Sequence, residues 1–132
     1  MKMVMEKYRK QKAYSLHVDH SQWLENLRYY TEELKQLKEN LAGKSLKKGN
    51  SAMMKQIEHF QNQFVIQENE IAELKSMINE HERYIEKHTG HNPAEDRKSI
   101  GDHMAERDKM EIFEKLFQEL KTDFTKFLSR TM

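Results

Sequence analysis

The apolar residues of this chain recur at alternating spacings of four and three over long stretches that nothing interrupts. That period keeps one face of an α-helix apolar and leaves the rest polar. The first such stripe is Trp23, Leu27, Tyr30, Leu34, Leu37 and Leu41. The second runs Met53, Ile57, Phe60, Phe64, Gln67, Ile71, Leu74, Ile78, His81, Ile85 and His88. The third is His103, Glu106, Met110, Phe113, Phe117, Leu120, Phe124 and Phe127, widened by Ile112, Leu116 and Leu128. No segment alternates with period two, so strands are not expected.

Helix breakers show where the chain turns. It has one proline and four glycines, and all but Gly101 fall in two short stretches, Gly43 to Asn50 and Thr89 to Pro93. In the first, Gly43 suits a helix C-terminus, and Asn50 or Ser51 suits the next N-cap. In the second, Gly90 fits C′, Asn92 the N-cap and Pro93 the first helical position, and Glu95 completes a capping box. The helices are expected at roughly 3–42, 51–88 and 94–129 in one domain, 1–132. The first reaches back that far only if Met5, Tyr8, Ala13 and Leu16 line an extension that matches the other two in length. Gly101, which costs about 1 kcal/mol relative to alanine inside a helix, marks Ser99 as the place where the third would break.

Short turns make consecutive helices antiparallel. Folding the second helix onto the third sets Ile78 beside Glu106, Ile71 beside Phe113 and Phe64 beside Leu120. Folding the first onto the second about Leu46 sets Leu34 beside Phe60, Tyr30 beside Phe64 and Trp23 beside Ile71. The fold class is therefore all-α, an antiparallel bundle of three long helices. Val65, Ile66, Met77, Tyr84, Leu24, Tyr29, Ile112 and Leu116 are left over once that core is filled. They leave room for completion to four or more helices by the N-terminal segment or a dimer partner.

Composition excludes several function classes. The chain is 36% hydrophobic and 34% charged, with 23 basic residues against 22 acidic ones, so it lacks the basic field that a nucleic-acid partner demands. It has no cysteine and hence no disulfide or thiolate site. Uninterrupted apolar runs such as Phe64-Val65-Ile66 are far too short for a membrane span. The basic N-terminus has no apolar h-region behind it, so the expected compartment is the cytoplasm. Lys2, Lys7, Arg9, Lys10 and Lys12, and the smaller group Lys44, Lys47 and Lys48, read as solvated ends. No Gly-x-Ser-x-Gly elbow and no phosphate-binding glycine loop occurs, so no catalytic or cofactor-binding residue and no enzyme activity is expected.

The histidines are the remaining chemistry. All of His17, His20, His59, His81, His88, His91 and His103 except His59 fall toward one end of the antiparallel bundle. His20, His81, His103 and Glu106 sit on or beside the inward stripe, and imidazoles and carboxylates facing inward from several helices are how bundles hold transition metals. Neither Glu-x-x-His nor His-Glu-x-x-His occurs. The same cluster would charge together as pH falls toward about 6 and loosen that end. On residue patterns alone, a structural or interaction bundle that self-associates or binds another protein ranks first. A metal-binding or pH-sensing bundle using the histidine-rich end is the alternative.

Ile57 to Leu74 (IEHFQNQFVIQENEIAEL), His20-Ser21-Gln22-Trp23 and the closing FEKLFQELKTDFTKFL together resemble a family of small uncharacterised bacterial helical-bundle proteins. The resemblance covers most of the chain from about His20 onward. It implies a helical fold and carries over no activity and no site residue.

Overall fold

The computed structural model describes residues 2–45, 51–88 and 92–131, with side chains placed for 12–44, 51–88 and 92–131. They form three helices, α1 (Lys2–Ser45), α2 (Ser51–His88) and α3 (Pro93–Thr131). No strand occurs among the described residues. The chain runs up, down and up, so α1 and α3 are parallel to each other and α2 opposes both. Polar contacts between α1 and α3 trace this along their length: Asp19 meets His103, Glu33 meets Lys121, and Lys44 Nζ donates to the Thr131 carbonyl.

The apolar stripes face inward as their period requires. Leu27, Leu34, Leu37 and Leu41 of α1 join Ile57, Phe60, Phe64, Ile71, Leu74 and Ile78 of α2 and Met110, Phe113, Phe117, Leu120, Phe124 and Phe127 of α3 in one core. Full burial stabilises by about 1.5 to 3 kcal/mol for each large apolar side chain. Aromatic rings interlock through the middle and one end. Phe60 and Phe64 meet Phe124 at centroid distances of 5.2 and 5.1 Å, and Tyr30 lies 5.4 and 4.8 Å from Phe113 and Phe117. Toward the other end the core narrows to Leu16 and Ile85, with a polar layer between them and the aromatics.

The helix starts and stops follow local chemistry. Asn92 caps α3: its Oδ1 accepts from Glu95 N at 2.8 Å and its carbonyl accepts from Asp96 N at 3.2 Å. α1 does extend back to Lys2, with Leu16 buried on it, while the side chains of Met5 and Tyr8 lie outside the described residues.

Four local expectations change. Gly43 does not end α1, which continues to Ser45 with the glycine exposed. Lys44 is buried rather than solvated, because its ammonium satisfies a terminal carbonyl of α3 that has no partner within its own helix. Nor does α3 break at Ser99. Gly101 faces open space, and the helix runs through both residues with Ser99 buried. Finally, α1 sits about three helical turns away from the register that folding about Leu46 gives. Leu34 lines a groove with Ile71, Leu41 lines one with Phe64, and Trp23 packs beside His103. A fold about the turn's midpoint treats both helices as reversing symmetrically. The large rings of α3 and the polar layer set the actual register. No helix among the described residues is long and apolar enough to cross a membrane.

Candidate metal centre

Each helix delivers one part of the polar layer by simple periodicity. On α1, His20 stands four residues after Leu16 and seven before Leu27, so it shares their buried face. On α2, His81 occupies the stripe between Ile78 and Ile85, and on α3 His103 and Glu106, three residues apart, precede Met110 on the same face. All four side chains are buried, and one donor atom from each lies within 4.8 Å of the others. The structure thus brings together the four residues that the sequence singles out as metal ligands.

Glu106 is the hub. Its Oε1 accepts from His81 Nδ1 and lies 3.4 Å from His20 Nε2 and 3.9 Å from His103 Nδ1. His20 Nε2 and His81 Nδ1 are 3.2 Å apart. The ring centroids of His20 lie 5.0 Å from those of His81 and 4.8 Å from those of His103. Trp23 stacks on His103 at 4.7 Å and closes that side.

The outward nitrogens are equally informative. His20 Nδ1–H donates to Glu82 Oε1 at 2.5 Å, and His103 Nε2–H donates to Asp19 Oδ2 at 2.9 Å. Arg107 steadies Asp19 at 3.2 Å, and His17 donates to the second oxygen of Glu82 at 2.9 Å. A carboxylate on the outer nitrogen of an imidazole fixes its tautomer and turns the opposite lone pair inward. His81 has no such partner among the described residues: its Nε2, together with His103 Nδ1 and Glu106 Oε2, is buried without a hydrogen bond to any of them.

No family model, curated protein or solved structure matches the chain.

Burial works against charge on every group, and the hydrogen bonds decide the outcome. For His20, burial lowers the pKa, but Glu106 and Glu82 outweigh it and hold the imidazolium above the ordinary value of 6.5. For His103, burial dominates over Asp19, and the ring titrates below 6.5. Burial would raise Glu106, Glu82 and Asp19, yet their histidine partners, joined by Arg107 at Asp19, keep all three carboxyls below their usual range. His103 is thus neutral at neutral pH, with its proton on the nitrogen that Asp19 holds.

The other histidines lie outside this layer. His17 is exposed and reaches the centre only through Glu82. His88 is half-buried, 3.5 Å from Glu95 and against the Tyr84 ring, and His59 packs its edge on Phe60. His91 falls outside the described residues. Sequence reasoning missed the outer carboxylates. Asp19 precedes His20 yet serves His103, and Glu82 follows His81 yet serves His20. An acidic neighbour of an inward histidine is the available signal. Such a residue lies about 100° around the helix from the inward stripe and so borders the adjoining helix.

Proposed function

We propose that the protein binds a divalent transition-metal ion through His20, His81, His103 and Glu106, and that the ion ties its three helices together. The observation that carries this reading is the inward lone pair of His103. Asp19 takes the ring proton at Nε2, so Nδ1 faces the Glu106 carboxylate as one acceptor facing another. A cation between them turns a repulsion into two bonds. Without it, the buried His103 Nδ1 stays unpaired, at about 1 to 3 kcal/mol, and a half-satisfied buried network is worse than an apolar one.

Distances and donor types agree with this. A metal–ligand distance of about 2.0 to 2.1 Å places neighbouring tetrahedral ligands roughly 3.3 to 3.4 Å apart. The separations of 3.2 and 3.4 Å from His20 Nε2 to His81 and Glu106 match that value, whereas His81 and Glu106 sit closer and the four donors spread to 4.8 Å, so an entering ion would part His81 from Glu106 and draw His103 in. Three imidazoles and one carboxylate with no thiolate suit zinc, iron, manganese or nickel. The decisive experiment is elemental analysis of protein purified without a histidine tag, followed by calorimetric titration of the metal-free form.

Self-association keeps one observation in its favour. Val65 and Ile66, adjacent on α2, are 51% and 53% exposed. A dimer through that face would leave the histidine end untouched, so the two readings are compatible.

A further inference from the structure

The seam between α1 and α2 is walled differently from that between α2 and α3. On α1 and α2 the residue after each inward one borders the other helix, because a helix turns about 100° per residue. Those positions hold Thr31, Lys35 and Lys38 on α1 and Glu68, Ala72 and Lys75 on α2. Thr31 and Ala72 are small and exposed, so Leu34 and Ile71 form the floor of a hollow of about 400 Å³ that these side chains line. On the α2–α3 side, the larger and half-buried Met77 and Tyr84 stand in the matching places.

Charge separates along with size. The α2–α3 groove carries Lys98 and Lys109 against Glu80, Asp102 and Glu106, whereas the α1–α2 hollow carries Lys35, Lys38 and Lys75 against Glu68. Glu68 pairs with Lys38 across the seam, and neither Lys35 nor Lys75 has an acidic partner among the described residues. A second hollow of about 240 Å³ adjoins the first at Lys38 and is lined by Leu41, Ala42, Phe64 and Val65. The seam is thus most cationic at Lys35 and Lys75 and most apolar at Phe64 and Val65, in a chain whose net charge is only +1.

We infer that the α1–α2 seam binds a medium-chain fatty carboxylate, its head between Lys35 and Lys75 and its tail running past Lys38 toward Phe64 and Val65. The two ends of the seam match the two ends of such a molecule. An inorganic anion would leave the apolar floor in water, and a neutral hydrocarbon would cover two lysines without pairing them. A helix from an acidic partner is about 10 Å across or more, whereas a hollow of this volume is only about 7 Å wide. The pair of Lys38 and Glu68 leaves the way open, because the two side chains are 39% and 56% exposed and such a pair is weakly held. This site is independent of the metal reading.

Calorimetric titration of the full chain with hexanoate, octanoate and decanoate, each below its micelle concentration, tests this. One equivalent should bind, and each added methylene should tighten binding about two- to fourfold, fourfold corresponding to full burial. Octylammonium, with the opposite charge on a like tail, should not bind. Lys35→Ala combined with Lys75→Ala should weaken octanoate about tenfold or more. Ala72→Trp, which fills the hollow from an exposed position, should remove binding while helicity and melting match the parent's, and Thr31→Trp fills it from the opposite wall should the first variant fail to fold. The site is overturned if decanoate shows no saturable one-to-one binding, if octylammonium binds as tightly as octanoate, or if the lysine and tryptophan variants bind like the parent. A dimer that Ala72→Trp dissociates would show a second copy covering the seam and would overturn it equally.

Discussion

Replacing Glu82 by glutamine separates a metal centre from a merely structural histidine cluster. Glu82 touches none of the inward atoms. Its role is to hold the proton of His20 Nδ1 at 2.5 Å and so turn Nε2 toward the centre. Glutamine keeps the shape, removes the charge, and can present an amide donor to the same nitrogen. Loss of such an outer partner weakens metal binding by about 10- to 100-fold, or roughly 1.4 to 2.7 kcal/mol. At a free zinc concentration about a hundred times the parent Kd, the parent gains about 2.7 kcal/mol of stability, and the variant gains only about 1.4 to 0.4. Without metal the variant should itself lose about 1 to 3 kcal/mol, since Glu82 is a charged partner of His20, which is 1% exposed. Denaturant unfolding with and without zinc measures both quantities, and Glu82→Asp should recover part of the loss. If parent and Glu82→Gln bind zinc equally, the outer carboxylate orients nothing and the argument from tautomers is refuted.

Other expectations follow from the same geometry. Phe64→Ala should destabilise by about 3 to 5 kcal/mol, because Phe64 is 1% exposed and meets Phe60 and Phe124; a denaturant midpoint equal to the parent's would contradict the packing. For the metal-free protein, Glu106, Glu82 and Asp19 titrate lower folded than unfolded, so their stabilisation holds above the unfolded values of 4.5, 4.5 and 3.8 and is lost as pH falls through the folded ones. His20 has the opposite sign: its stabilisation is complete below 6.5 and fades as pH rises through its higher folded pKa. His103, lowered by burial, loses stability as pH falls below 6.5 and offsets His20 there. A thermal melting series should therefore be shallow around neutrality and fall steeply below about pH 4.5. Light scattering coupled to size exclusion should show a dimer that Val65→Lys with Ile66→Lys converts to monomer with helicity intact; a 16.0 kDa species at all concentrations would refute self-association.

The fold was readable because helical period and punctuation are local. The stripes from Ile57 to Ile85 and from His103 to Phe127 name the residues that are buried, and Asn92-Pro93 with Glu95 marks the start of α3 from its own side chains. The four donor residues were readable for the same reason, as polar residues at apolar positions. What was not readable depends on how helices meet. The register of α1 on α2 is set by interlocking rings contributed mostly by α3. The pairing of Asp19 with His103 and of Glu82 with His20 depends on which neighbouring helix each flank of a stripe borders, and one-dimensional periodicity carries no information about that. Lys44 misled because lysine is usually solvated, whereas here a helix end in another part of the chain needs its donors.

The proposed centre requires His20, His81, His103 and Glu106 to hold one ion between them. Calorimetric titration of tag-free, chelator-stripped protein with zinc, manganese and ferrous iron in turn tests it most directly. One equivalent per chain should bind for at least one of them, and protons should be released as His20 gives up its charge. Substituting His81 by glutamine should abolish the stoichiometric phase while the helical spectrum persists. Binding no tighter than about 1 mM for all three ions, or affinity unchanged by His81→Gln, would contradict the proposal and leave the cluster a buried ionic network.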